Sequence, residues 1–278
     1  MKKIYILKYD LIFKNIFKDK DNMKKLLEEA LNLKVNEVIF IDTELSVETR
    51  YEKLKILDII VYTDKGIINV EINNGYRPEV NTRNLIYFFK LISSSVEKSS
   101  KYSDIKEYIQ LNLTWDLNKY VDYDVENKEK LCYSISEDEM HIPYTNLFKI
   151  VTYNMDYFIK KWYNNDIEGV NKFMLLLAAP DIDIMREISK GDELMEEITN
   201  KVMELNEDPE IYKNITLEND QEKLFNTAMS VSRNEGKEEG KIEGKIEIAK
   251  KLFDNGMSLE EISNITELTI EDIKNYVK

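Results

Sequence analysis

The spacing of apolar residues in the first third of the chain predicts two kinds of element. Between Tyr9 and Leu33 the apolar residues recur at helical intervals, which predicts one or two amphipathic helices with Asp10 and Asp19 as candidate N-caps. Three strands are predicted next, over residues 37–42, 56–62 and 67–73. The sequence "TDKG" between the last two strands is typical of a hairpin.

Helical periodicity returns over residues 82–96, and "EYIQLNLTW" then predicts a further strand. This order of helix, strands, helix and strand predicts an α/β fold with a mixed sheet flanked by helices. From about Leu147 onward the pattern is mainly helical. We therefore divide the chain into a core over 1–150, a helical extension over 151–235 and a terminal region over 236–278.

The terminal region begins within a long predicted helix that Gly236, Gly240 and Gly244 are expected to interrupt at intervals of four. Each glycine costs a helix about 1 kcal/mol relative to alanine, so this part of the helix should be weak and mobile. Two short helices are predicted to follow, capped by Ser258 and Thr269.

Composition restricts the class of protein. Of the 278 residues, 43% are hydrophobic and 33% are charged, as expected for a globular protein. No apolar run approaches the roughly 18 residues of a membrane span, and charges interrupt the N-terminal segment too often for a signal peptide. We expect a cytoplasmic protein that does not interact with membranes.

The single cysteine, Cys132, and the single histidine, His141, exclude several kinds of site. An internal disulfide and a cysteine-rich zinc site need more cysteines than the chain has, and His141, in the sequence "HIPY", is interpreted as a structural residue of a loop. Catalysis would therefore depend on carboxylates, amides, hydroxyls and amines. The net charge of −14 also means that any nucleic-acid contact needs a local concentration of basic residues.

Two acidic residues on neighbouring strands are the strongest candidates for chemistry. Asp58 lies within an apolar strand, where a carboxylate without a partner costs several kcal/mol. On the next strand Asn69, Glu71 and Asn73 alternate with apolar residues. A hairpin loop with an even number of residues would place Asp58 on the same face as Glu71 and Asn73.

Facing carboxylates repel, so a compensating charge is expected. One possibility is a divalent cation such as Mg²⁺, which prefers oxygen ligands and can activate a water molecule. The other is a buried salt-bridge network in which Lys53, Lys55 or Arg83 pairs with the two acids. Spacing alone does not separate these alternatives.

The motif "LDIIVYTDKGIINVEIN" resembles the active-site hairpin of PD-(D/E)XK nucleases. More narrowly, the chain resembles the Rpn/YhgA-like group, the PD-(D/E)XK nuclease family transposases or recombination-promoting nucleases. Further similar segments are "YDLIFKNIFKDKDNMKKLLEEALN", "RNLIYFFKLI" and the glycine-containing tail. The resemblance implies a restriction-endonuclease-like core with a helical C-terminal region.

The resemblance also implies roles for individual residues. Asp58, Glu71 and Asn73 would form the catalytic set, and Asp58, Glu71 and the Ile72 carbonyl would bind Mg²⁺, for which Mn²⁺ can substitute. Position 73 is usually Lys in these nucleases and Gln in many members of the narrower group. Asn cannot act as a base, and its amide reaches one methylene less far than that of Gln.

Arg83 and Tyr87 lie four residues apart on the helix after the hairpin and would share one face. As a functional pair they would hold the scissile phosphate, because a guanidinium presents a charged fork to phosphate oxygens. Alternatively, Arg83 pairs with the acids and Tyr87 belongs to the core. Asp10 matches an acid in the family's opening motif, and a helix cap explains it equally well.

Two functions follow. The first is a Mg²⁺-dependent DNA endonuclease that hydrolyses phosphodiester bonds, associated with recombination or mobile elements. The second is a catalytically degenerate protein that keeps the nuclease fold to bind nucleic acid or a protein. Acids outnumber lysines from Ser258 to Lys278, which disfavours DNA binding there. We expect the C-terminal helices instead to form a homo-oligomer or to bind another protein.

Overall fold

The computed structural model describes residues 3–41, 59–96 and 106–276. The chain forms two compact units, Met1–Ile215 and Thr216–Lys278. Each unit is described by itself.

A six-stranded mixed sheet forms the centre of the first unit, with strand order β1-β2-β3-β4-β6-β5. The strands are β1 (Val38–Ile41), β2 (Ile59–Thr63), β3 (Gly66–Asn73), β4 (Glu107–Thr114), β5 (Lys130–Tyr133) and β6 (Phe148–Asn154). β3, β4 and β6 are parallel, whereas β1, β2 and β5 pair antiparallel with their neighbours. This is the mixed sheet that the sequence predicts.

The helices of the described residues follow the predicted order. They are α1 (Asp10–Phe17), α2 (Lys20–Leu31), α3 (Val80–Val96), α4 (Met155–Tyr163), α5 (Lys172–Ala178), α6 (Ile182–Ser189), α7 (Glu193–Glu207), α8 (Pro209–Asp254), α9 (Leu259–Thr266) and α10 (Ile270–Tyr276). None of these helices is long and apolar enough to cross a membrane.

The hairpin between β2 and β3 has a two-residue loop, Asp64 and Lys65, and pairs Ile59 with Val70. The Thr63 hydroxyl stabilises this loop, since its oxygen accepts hydrogen bonds from the backbone N–H groups of Lys65 (3.1 Å) and Gly66 (3.0 Å). Gly66 is required by close packing, because a Cβ there would lie 2.1 Å from the Glu107 carbonyl oxygen on β4. The loop therefore has an even number of residues, the condition stated in the sequence analysis.

The two faces of the sheet pack against different helices. One face forms the main hydrophobic core with helices of both ends of the first unit; its sheet residues include Val61, Val70, Leu111 and Val151. The opposite face packs under α3. Near the N-terminal end of β3 that face is apolar, and we call it the apolar end: Ile60, Ile67, Phe88, Leu91 and Tyr108.

Two sequence expectations are wrong in detail. Phe148–Asn154 is a strand parallel to β4 and buried from Val151 onward, rather than the start of a helical region, because its β-branched and aromatic residues pack alternately against the main core and the apolar end. Asp10 is not an N-cap: Tyr9 occupies that position, and the Asp10 carboxylate accepts a hydrogen bond from Lys14 at 2.8 Å. Asp19 does cap α2, accepting from the N–H groups of Asp21 and Asn22.

The second unit is helical. α8 continues through Gly236, Gly240 and Gly244, so these glycines do not interrupt the helix. Ser258 forms a capping box with Glu261 at the start of α9, and the Thr269 hydroxyl accepts from the N–H of Asp272 at α10, as predicted. A small core contains Ala249, Ile262 and Ile273. The tripartite domain division and the mobility of α8 stay predictions.

Candidate active site

Toward the C-terminal ends of β3, β4 and β6, the sheet face under α3 changes from apolar to polar. We call this region the polar end: Asn69, Glu71, Asn73, Gln110, Asn112, Thr114, Thr152 and Asn154. Parallel pairing places Asn69 beside Gln110, Glu71 beside Asn112 and Asn73 beside Thr114. All eight side chains are buried, which gives the polar end a high desolvation cost unless they bind one another or a ligand.

Glu71 is the acid of the polar end and is only 1% exposed. The Asn69 amide donates to Glu71 Oε1 at 3.1 Å and to Gln110 Oε1 at 2.9 Å. Gln110 in turn donates to Asn112 Oδ1 (2.8 Å), and Asn112 donates to Thr152 Oγ1 (3.0 Å). A continuous series of side-chain hydrogen bonds thus fixes the amides around the Glu71 carboxylate.

A second series of hydrogen bonds reaches Asn73 from α3. Arg83 Nε and Nη2 both donate to Asn84 Oδ1, each at 3.3 Å. Asn84 Nδ2 donates to Asn73 Oδ1 (3.2 Å), and Asn73 Nδ2 donates to Thr114 Oγ1 (3.2 Å). The predicted catalytic amide and the predicted phosphate-binding arginine are therefore linked through Asn84.

Of the predicted phosphate-binding pair, Arg83 is half-buried and is linked to the polar end through Asn84. Within the described residues its side-chain hydrogen bonds are the two to Asn84, so Arg83 is not the partner of Glu71; the other two candidates of the salt-bridge alternative, Lys53 and Lys55, lie outside the described residues. Tyr87 is partly buried against the apolar end, which agrees with the core alternative for that residue.

Asp58, Lys53 and Lys55 lie outside the described residues. The structure does supply the condition under which the sequence places Asp58 on the face of Glu71, namely the two-residue hairpin loop. Ile72, whose carbonyl is the third predicted metal ligand, lies on β3 opposite Leu113 of β4. These metal-binding roles stay predictions.

The chemistry of the donors at the polar end fits a hard divalent cation. Such cations prefer carboxylate and amide oxygens, and Glu71 provides the first kind. Asn69 provides the second: its Oδ1 is buried and accepts no hydrogen bond within the described part of the chain. The described residues contain no cluster of three or more His, Cys, Asp or Glu side chains that could hold a metal ion.

Tyr120 holds the turn that follows β3. Its hydroxyl donates to the Gly75 carbonyl (2.9 Å) and accepts from the Arg77 N–H (3.2 Å). Burial raises the pKa of Tyr120, so the hydroxyl keeps the proton that it donates. The chain is thereby fixed where it leaves the polar end.

Comparison with known proteins identifies the family of the chain. The family model described as PD-(D/E)XK nuclease family transposase matches residues 7–233. The chain belongs to this family. PD-(D/E)XK nucleases generally use divalent metal ions, and membership implies an interaction with DNA. No curated protein and no solved structure matches the chain.

The family match includes the hairpin, α3 and the whole polar end, but it stops at residue 233. The glycines of α8 and the two short terminal helices lie beyond it. The resemblance of the tail to this nuclease family therefore stays a prediction.

Sequence reasoning found Glu71, Asn73 and Arg83 but missed Asn84 and the polar residues of β4. A signal for the latter was present: Gln110, Asn112 and Thr114 alternate with apolar residues in the strand predicted over "EYIQLNLTW". Asn84 carries no such signal, because a single Asn in a helix is ordinary.

Proposed function

We propose that this PD-(D/E)XK family member is a metal-dependent DNA endonuclease that hydrolyses phosphodiester bonds in recombination or in mobile elements. The observation that carries the proposal is the buried Glu71 carboxylate among hydrogen-bonded amides, at the carboxyl ends of three parallel strands. Ligand sites of open α/β sheets occur at such ends.

In this proposal Asp58, Glu71 and the Ile72 carbonyl hold the cation, Mg²⁺ or Mn²⁺. When bound, the cation lowers the pKa of a water molecule and stabilises negative charge on the phosphate. Asn69 orients the Glu71 carboxylate through its 3.1 Å hydrogen bond. The surrounding amides keep that carboxylate in one position before substrate arrives.

Arg83 is the proposed contact to the phosphate backbone. Its guanidinium has five N–H donors, and two donor nitrogens bind Asn84, so further donors are available to a phosphate oxygen. Tyr87 contributes by packing the middle of α3 against the sheet.

The test is nicking of supercoiled plasmid with Mg²⁺ or Mn²⁺. Asp58→Ala and Glu71→Gln should each lower the rate by more than the roughly 10–100-fold that is typical of outer-shell residues, because they remove proposed ligands. Glu107→Gln is the matched control: it removes the same charge from the same sheet, at the opposite end of β4. Cleavage that survives both ligand variants would overturn the assignment.

The alternative is a catalytically degenerate protein that binds nucleic acid or a protein. The specific observation in its favour is Asn73, whose amide cannot act as a base and is bound to Asn84 and Thr114. A thermal shift with Mg²⁺ that Glu71→Gln abolishes, without any cleavage by the wild type, would support this function instead.

We also propose that the C-terminal helices support a homo-oligomer. Ile265 and Tyr276 are 57% and 46% exposed on a unit whose core contains only a few apolar residues. Light scattering of the full chain should give a mass above 32.9 kDa, and Ile265→Asp should return it to that of the monomer. A monomeric wild type would exclude this.

A further inference from the structure

The hydrogen bonds between Arg83 and Asn73 have a fixed direction. A guanidinium carries only donors, so the Asn84 oxygen must face Arg83 and the Asn84 N–H₂ must face Asn73. Asn73 must then turn its oxygen toward Asn84 and its N–H₂ toward Thr114. Because the Arg83 guanidinium has no acceptor, it determines which end of the Asn73 amide faces away from α3.

This direction leaves Asn73 with one donor to spare. Its Nδ2 carries two N–H groups, and one of them donates to Thr114 Oγ1. Within the described residues the other N–H has no acceptor. Asn73 is 5% exposed, and leaving a buried donor unsatisfied is costly, so a ligand oxygen is the natural acceptor.

We propose that Asn84 is a positioning residue that holds Asn73 as a hydrogen-bond donor to a phosphate oxygen of DNA. Position 73 then recognises the anion and does not take a proton from the attacking water. An amide turned the other way would present its oxygen to the phosphate and repel it. The inference rests on the proposed function, because it concerns the substrate of the same site.

Asn84→Asp tests the direction of these bonds at nearly constant volume. An aspartate at position 84 still accepts from Arg83, but it can only accept from Asn73, so the Asn73 amide must turn its N–H₂ toward α3. Asn81→Asp is the matched control, because it introduces the same charge one turn earlier on α3, at an exposed side chain.

Two measurements are needed. The first is binding of a fluorescein-labelled DNA duplex by anisotropy in EDTA, at fixed salt, so that neither metal binding nor cleavage contributes. Asn84→Asp should weaken binding about 10-fold or more relative to Asn81→Asp, since hydrogen bonds to charged groups are among the strongest. The second is the NOE between the Asn73 side-chain N–H₂ and the Thr114 methyl group, which the wild type should show and Asn84→Asp should lose.

The outcomes separate this inference from the proposed function. If the wild type does not cleave DNA, and Asn84→Asp both weakens DNA binding and loses the NOE, the nuclease proposal fails and the inference stands. If the wild type cleaves and Asn84→Asp binds as well as Asn81→Asp, the inference is overturned and the nuclease proposal stands. An unchanged NOE in Asn84→Asp overturns the positioning role, and a wild type that neither binds nor cleaves overturns both.

Discussion

The two ends of the sheet face under α3 have opposite energetics. At the apolar end, Phe88 and Leu91 of α3 pack on Ile67 and Tyr108, and the burial of apolar area stabilises the contact without directional bonds. At the polar end, the same helix and the same strands bury amides and a carboxylate. There, stability depends on each polar atom finding a partner.

This difference explains how one helix can both stabilise the fold and complete a site. The apolar end holds α3 on the sheet, so the polar end needs to contribute little net stability. Buried polar networks are sensitive to the loss of single members, which is a disadvantage for folding but restricts each side chain to one orientation. We expect substitutions at the two ends to have different consequences.

The largest effect is expected at the apolar end. Phe88→Ala should lower the free energy of unfolding by about 3–5 kcal/mol, because it removes a fully buried aromatic ring between helix and sheet. Phe89→Ala, at the neighbouring position that is 44% exposed, should cost much less. Urea denaturation followed by circular dichroism measures both, and equal losses would contradict the assignment of the core.

At the start of β3, beside the apolar end, the main chain should also tolerate an added side chain poorly. Gly66→Ala should destabilise by about 1–3 kcal/mol, because the new Cβ would collide with the Glu107 carbonyl and force β3 and β4 apart. Gly240→Ala should instead stabilise α8 by about 1 kcal/mol, since no atom beyond the neighbouring residues and the helix backbone itself lies within 4 Å of the new Cβ. Thermal denaturation should show a lower Tm for Gly66→Ala and a higher Tm for Gly240→Ala. Shifts of the same sign would contradict one of these two predictions.

At the polar end, removing one partner of a buried hydrogen bond should lower the free energy of unfolding more than removing both partners. Gln110→Met should destabilise by about 1–3 kcal/mol, because it leaves Asn112 Oδ1 buried without its donor and removes the acceptor of one Asn69 N–H. Adding Asn112→Leu should recover part of that loss, because it removes the unsatisfied Oδ1 and takes from Thr152 only a bond to a hydroxyl, which can rotate. Equilibrium denaturation of the two single variants and the double variant gives the coupling free energy between positions 110 and 112. If the two effects simply add, the polar end does not differ from the apolar end in this respect.

The smallest effect is expected in the two-residue loop between β2 and β3, which sets the register of these two strands. Hydrogen bonds from Asn36 and the nearby Lys65 lower the pKa of Asp64 from 3.8 to about 2. Because the folded pKa is the lower one, this contribution to stability is present above about pH 4 and is lost as the pH falls toward 2. NMR titration of the Asp64 carboxyl should give this lowered pKa. Asn36→Ala should raise the pKa of Asp64, because it removes the hydrogen bond that the Asn36 side chain donates.

Local features of the fold were predictable because local interactions determine them. The hairpin, α3 and β4 follow from periodicity and turn chemistry, and the caps Asp19, Ser258 and Thr269 follow from bonds within four residues. β6 was misread because a short apolar segment fits a helix or a strand equally well until a neighbouring strand is known. Its pairing with β4 decides the matter.

By itself, the sequence determined the family, the alternation of β3 and the candidacy of Glu71, Asn73 and Arg83. Only the tertiary structure decided that Gln110 lies beside Asn69, 41 residues earlier in the chain, and that Asn84 stands between Arg83 and Asn73. The physical reason is that periodicity fixes the face on which a side chain lies. Its hydrogen-bond partner and the direction of the bond depend on which elements pack together.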